Sequence, residues 1–296
     1  MISVIGDIML DEYIYGSSVR QSPECETAPV VVVASPLRML GGAGNTALNI
    51  HHLESEVTLY SSIEPGGKLD NLRCSFDIPV KYTPNKSADT VKTRIYSNGY
   101  YIARLDIDNK VRHDEDTLVD DLFFDKPDLI VISDYGKGTI TKPENIISKA
   151  KELGIPVLVD SKNNLSDFKG ATVIKPNIKE FFDWLGWQQP QSIDEALNRL
   201  DVKTLESVLK ELGVKHLIVT LGDKGCLLVD DYSVKVYPAL PIKAIDVTGA
   251  GDTFIAALAV AMSEGKDIKR AIQFANRAAS IAVTKKGTQY VKRNEI

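Results

Sequence analysis

Short apolar runs rich in Val and Ile recur along the chain: ISVIG at 2–6, DLIVISD at 128–134, PVLVD at 156–160, TVIKPN at 172–177 and HLIVTLG at 216–222. In the second half they are separated by stretches with helical spacing, such as KPENIISKAKELG at 142–154 and LESVLKELG at 205–213. Runs that are apolar on both faces, alternating with amphipathic helices, predict parallel βαβ units and a doubly wound, mainly parallel α/β sheet flanked by helices. Ligands of such sheets gather beyond the carboxyl ends of the strands. The candidate residues fall there: Asp11, Asp134 to Lys137, Asp160, Asn177 and Gly222.

Two stretches break the alternation. EYIYG at 12–16 and APVVVVASP at 28–36 are β-prone without an intervening helix, and TVKTRIYSNGYYIARLDI at 90–107 places Asn98 and Gly99 between two β-prone runs. Asn-Gly in that setting predicts a type I′ hairpin. Segments 12–36 and 90–106 are therefore expected to form a small antiparallel sheet, a lid over one end of a core that otherwise occupies 1–296 as one domain. The chain shows no internal repeat, low-complexity stretch or long linker.

With 296 residues, 44% of them hydrophobic, the chain is long enough for a large core. A formal net charge of −5 speaks against a nucleic-acid partner, which requires a basic face. Three widely spaced cysteines give neither a disulfide framework nor a metal pair and fit a reducing cytoplasm. No apolar run approaches membrane-span length and MISVIGDIML lacks a basic leader, so neither a membrane nor a targeting step is expected.

The stretch DVTGAGDTF at 246–254 sets Gly249, Ala250 and Gly251 before Asp252 and the apolar run FIAALAVAM. If a helix starts there, its unpaired amides and dipole form an anion site with its own carboxylate. That arrangement suits phosphoryl transfer, with the amides on the phosphoryl oxygens and the carboxylate taking the proton of the attacking hydroxyl. An ordinary helix start with an acid in its first turn fits the same letters.

GDIMLD at 6–11, GGAGN at 41–45, KPNIKE at 175–180, TLGDKG at 220–225 and DVTGAGD at 246–252 follow in this order over nearly the whole chain. On these motifs the sequence resembles the ribokinase-like, or PfkB, carbohydrate kinases. The resemblance is nearest to the kinase domain of the bifunctional enzymes of ADP-heptose synthesis, through GDIMLDEYIYG at 6–16, SPE at 22–24 before APVVVV, ARLD at 103–106, SDYGKG at 133–138 and VDSK at 159–162. It implies an ATP-dependent kinase acting on the anomeric hydroxyl of D-glycero-β-D-manno-heptose 7-phosphate. The nucleotidyltransferase domain that often follows is not expected, because the sequence stops after the kinase region. Another sugar or nucleoside as acceptor, or a sensor that has lost turnover, are the readings it competes with.

The resemblance also implies roles. Asp252 would be the base and the amides of Gly249, Ala250 and Gly251 the anion hole. Asp11, Gly41, Gly42 and Asn45 would hold the sugar, while Arg104 and Lys137 would meet its phosphate; a charge pair with Asp106 or Asp134 is the bland alternative for those two. Lys175, Asn177, Thr220, Gly222, Gly225 and Asn276 would line the nucleotide site. Glu180 would organise Mg²⁺ through water, although Asn177 followed by Glu180 three residues later also spells a helix capping box. Asp246 and Thr248 lie where some relatives bind a monovalent cation such as K⁺, and some relatives associate as homodimers through the lid. The segment 61–80, SSIEPGGKLDNLRCSFDIPV, is shorter than usual for the family, which puts the substrate-side rim and any family-like dimer contact in question.

Overall fold

The computed structural model describes residues 1–33, 35–231 and 233–296. Residue 34, inside the stretch expected to join the lid, and the side chains of Glu26 and Cys74 lie outside the described set; Cys25 and Cys226 are free thiols. The five apolar runs all become strands of one sheet, nine-stranded among the described residues. From one edge to the other its strands are Ser233–Tyr237, Cys226–Asp230, His216–Thr220, Val173–Ile174, Val157–Ser161, Leu129–Asp134, Ile2–Gly6, Val57–Ile63 and Val80–Pro84. Every neighbouring pair from His216–Thr220 to Val80–Pro84 is parallel, and the two strands beyond His216–Thr220 are antiparallel.

Side chains along these strands point alternately to two separate cores, which explains the continuous apolar runs. Ile2, Val4, Leu129 and Val131 enter one core with the helices Ala43–His52, Ala250–Ser263 and Ile268–Ala282. Ile5, Ile130 and Ile132 enter the other, with Glu115–Phe124, Pro143–Glu152 and Val202–Leu212. The strand order reverses between Ile2–Gly6 and Leu129–Asp134: the chain first builds outward on one side of its first strand, then returns to the other side. A crevice opens beyond the strand ends at such a point.

Above it sits the second sheet, in the order Tyr100–Ile107, Val91–Ser97, Ile8–Ser17 and Val32–Val33, with Leu37–Gly42 also paired to Ile8–Ser17. Asn98 and Gly99 both take positive φ, 51° and 85°, as a type I′ turn requires. Pairing within this sheet is antiparallel except between Ile8–Ser17 and Val91–Ser97, which run parallel because a long excursion through the main sheet separates them in sequence. The compressed segment 61–80 folds as the short helix Lys68–Leu72 and a 3₁₀ turn, Arg73–Ser75. It docks beneath the second sheet through an ion pair of 2.8 Å between Lys68 and Glu12. Among the described residues no helix is long and apolar enough to cross a membrane.

Candidate functional site

The helix Ala250–Ser263 begins where the sequence places it, and the capping residue is Gly249, in the left-handed region at φ 79°. A β-carbon on Gly249 would lie 2.7 Å from the Asn45 amide nitrogen, so only glycine permits this approach. The first-turn amides have no partner within the helix; that of Ala250 turns back to the Val247 carbonyl at 3.3 Å. Every residue from Asp252 to Ala261 is buried, so this helix is fixed in the core by apolar contact on all sides.

Asp252 is 3% exposed at the head of that helix. One carboxylate oxygen accepts from the Asn45 side-chain amide at 2.8 Å and the other from the Tyr135 hydroxyl at 2.5 Å. Burial pushes its pKa up to about 6, and the hydrogen bonds from Asn45 and Tyr135 resist that rise. At neutral pH such a group is charged and still basic enough to take a proton, the range suited to general-base work. Beside it Lys175 and Asp160, both buried, pair at 2.9 Å, and a β-carbon on Gly251 would lie 3.7 Å from both charged groups. The Lys175 ammonium thus lies next to the helix start, adding a cation to the dipole.

Asp11 faces the crevice from the second sheet. Arg94 donates to one of its oxygens at 2.5 Å and Thr288 to the other at 3.3 Å. Register arranges the side chains in cross-strand rows, with Met39, Asp11, Lys92 and Asp106 in one and Leu37, Tyr13, Arg94 and Arg104 in the next. Arg104 therefore shares the face that carries Asp11, but on the outer strand, where it pairs with Asp106 at 2.8 Å. Lys137 pairs with Asp108 at 2.7 Å, a partner different from those anticipated. Burial holds the Lys92 ammonium below the usual lysine range, and it lies 5.9 Å from the centre of the Tyr135 ring. Gly41 packs against Asp11, its virtual β-carbon 2.5 Å from the carboxylate, and Gly42 takes φ 60°.

On the other side of the Ala250–Ser263 helix start, Thr220, Gly222, Gly225, Ala250, Gly251 and Asn276 border a largely apolar cleft of about 210 Å³. Gly222 and Gly225 form a tight turn in which the Leu221 amide reaches the Gly225 carbonyl at 2.7 Å. The Asn276 amide donates to the Tyr237 carbonyl at 3.0 Å. Asn177 bridges to Thr220 and caps Ile178–Trp184, with Glu180 completing the capping box: the Asn177 amide donates to Glu180 at 2.7 Å, and Lys162 occupies the other Glu180 oxygen. Each Glu180 oxygen accepts one of these hydrogen bonds and keeps a second lone pair, so the carboxylate can face an ion directly or through water. No cluster of three or more His, Cys, Asp or Glu among the described residues could hold an ion on its own. Asp246 accepts from the amide and hydroxyl of Thr248 at 2.9 and 2.7 Å and from the Gly287 amide at 2.9 Å.

Sequence reasoning missed four contributors. Lys92 and Arg94 carried a signal, two cations at alternate positions of one strand. Tyr135 lay unread inside SDYGKG. Asp7, buried at the end of Ile2–Gly6, accepts the amides of Tyr135, Lys137 and Thr139 at 2.8, 2.9 and 3.0 Å, and nothing in the linear sequence announces that contact across the strand reversal.

The pfkB family carbohydrate kinase model matches residues 1–294. The bifunctional protein HldE of Hydrogenovibrio crunogenus is 35% identical over 303 residues, covering 100% of this chain and 62% of that protein. HldE of Nitrosococcus oceani is 35% identical over 305 residues, covering 100% of this chain and 63% of its own length. The chain thus spans less than two thirds of these relatives. Phosphofructokinase-2 from Escherichia coli in complex with potassium shares the fold at TM-score 0.80 and 20% identity, with 100% of this chain and 96% of that one covered. Arabidopsis thaliana ribokinase complexed with ribose and ATP does so at 0.73 and 20%, covering 99% and 96%.

Proposed function

We propose a specific reaction for this chain, which belongs to the pfkB family of carbohydrate kinases and is an ATP-dependent sugar kinase: transfer of the γ-phosphoryl group to the anomeric hydroxyl of D-glycero-β-D-manno-heptose 7-phosphate. The observation that carries the reading is the buried Asp252 carboxylate at a helix start, with Lys175 beside it and Asp11 across the crevice. The likeness to bifunctional HldE proteins at 35% identity supports the acceptor. Asp11 and Asn45 orient the sugar so that one hydroxyl meets Asp252. Its proton passes to the carboxylate as its oxygen attacks the γ-phosphorus, and ADP leaves. The helix-start amides and Lys175 stabilise charge gathering on the transferred group. Mg²⁺ arriving with the nucleotide and approached by Glu180 through water would supply further charge neutralisation. K⁺ beside Asp246 and Thr248 belongs to the same reading, as do a cytoplasmic setting and one kinase domain closed by its second sheet.

Arg104, Lys137 and Lys92 are the cations offered to the acceptor phosphate. One observation favours an unphosphorylated sugar instead: Arg104 and Lys137 already have carboxylate partners, Asp106 and Asp108. An acceptor panel of phosphorylated and free heptoses, hexoses and pentoses, read by ADP release, decides between them. Heptose 7-phosphate should give the highest kcat/KM, and a free sugar that exceeds it would overturn the acceptor assignment. In parallel, Asp252→Asn should lower kcat by roughly 10²- to 10⁴-fold, the range for loss of a general base. A folded variant with near wild-type kcat would remove the base.

A further inference from the structure

Tyr135 comes from the loop that follows Leu129–Asp134, on the far side of the strand reversal from the residues that hold the sugar. Its backbone is pinned by Asp7, and its hydroxyl lies 2.5 Å from Asp252. The opposite carboxylate oxygen is held by Asn45, whose own amide is oriented by Asn49, donating at 3.1 Å to its carbonyl oxygen. Two donors, one per oxygen, fix the plane of a carboxylate. They still leave two of its lone-pair directions for an incoming hydroxyl.

We propose that Tyr135 is a positioning residue for Asp252: together with Asn45 it clamps the carboxylate in the orientation that meets the acceptor hydroxyl and stabilises its charged form. The proposal rests on Asp252 being the base. Burial, and after it the charges of Asp252 and Asp160, hold the phenol far above the ordinary tyrosine range, so it keeps its proton and acts as a donor throughout. The other charged groups facing the pair are Asp160 and Lys175 from the neighbouring strand ends, Lys162 and Lys92 over the Tyr135 ring at 5.6 and 5.9 Å, and Asp11. None of these donates a hydrogen bond to Asp252, so the hydroxyl of Tyr135 can be tested by itself.

Tyr135→Phe removes one oxygen and keeps the ring under its two cations. Losing a donor disfavours the ionised carboxylate, so the base stays protonated to higher pH. The acid limb of the kcat profile should move up by about one pH unit, the effect of one hydrogen bond to a charged group. Turnover should recover at alkaline pH and KM for ATP should stay put. A purely structural role would lower the melting temperature and kcat at every pH without moving the limb, and that result overturns the proposal. Asp252→Asn is assayed alongside. If it stays active, the base reading fails and takes the proposal with it; if it is inactive while the Tyr135→Phe limb is unmoved, only the role of Tyr135 is lost. Should Tyr135→Phe not fold, Tyr135 is replaced by a ring-fluorinated tyrosine, whose hydroxyl is a stronger donor: the acid limb should then move down, and an unmoved limb overturns the proposal.

Discussion

The surroundings of Asp252 oppose its charge, and that leaves a signature in stability. Its pKa in the folded chain, about 6, lies above the ordinary aspartate value of 3.8. The ionised form is therefore worse off folded than unfolded. This cost is absent below the unfolded pKa and grows as the pH rises through the folded one. Asp252→Asn should accordingly be more stable than wild type at pH 8, by up to about 3 kcal/mol less whatever the new amide loses against Asn45. The gain should vanish near pH 4. Melting curves at the two pH values check this, and a gain equal at both would contradict it. At the same scale, Lys92→Ala should raise KM for a phosphorylated acceptor at least tenfold and leave KM for ATP unchanged, since lost ground-state binding appears in the substrate it touches. Arg94 is a poorer probe, because removing it strands the buried Asp11 carboxylate.

At the level of elements, the helix start depends on Gly249. Gly249→Ala places a methyl group 2.7 Å from the Asn45 amide in a left-handed backbone. Strain of about 1–3 kcal/mol should follow, with Asn45 pushed off Asp252, so both melting temperature and kcat should fall. A variant that keeps both would show that the helix start tolerates a side chain. The second sheet presents a different expectation. Water must be kept from the transferred phosphoryl group, so backbone hydrogen exchange across 12–36 and 90–106 should slow when the acceptor and a nonhydrolysable ATP analogue are both bound. Unchanged exchange would mean that the sheet does not close.

For the whole molecule, the outer part of the second sheet is unusually apolar for exposed surface. Tyr15, Tyr100, Tyr101, Ile102 and Leu105 are between 43% and 75% exposed. Tyr15 and Tyr101 lie on the face that carries Asp11, and Tyr100 and Leu105 on the opposite one; because exposed apolar side chains on an edge strand invite a cover, we propose that two copies associate through this sheet. Tyr101→Glu should then shift the chain from dimer to monomer in sedimentation at micromolar concentration. If wild type is already a monomer there, this mode of assembly is wrong.

How much of this was legible in the sequence follows from the range of each interaction. Strand and helix identity, the Asn98–Gly99 turn and the start of the helix at Ala250 depend on neighbours a few residues away, so apolar periodicity and glycine placement were sufficient. Each of the five motifs contains a strand end or a helix start, which local signals of this kind mark. Which groups meet inside it depended on folding. The contact from Asp252 to Asn45 spans 207 residues and that from Tyr135 to Asp252 spans 117. Lys137 shows the limit most plainly: loop geometry sets it beside Asp108, 29 residues away, whereas the pair of Arg104 with Asp106, two residues on along the same strand, was legible as the alternative to a phosphate role. The sequence by itself determined the kinds of element and the chemistry available at their ends. Only the tertiary structure decided which side chains share a hydrogen bond and how deeply Asp252 is buried, because both depend on packing between segments that are distant along the chain.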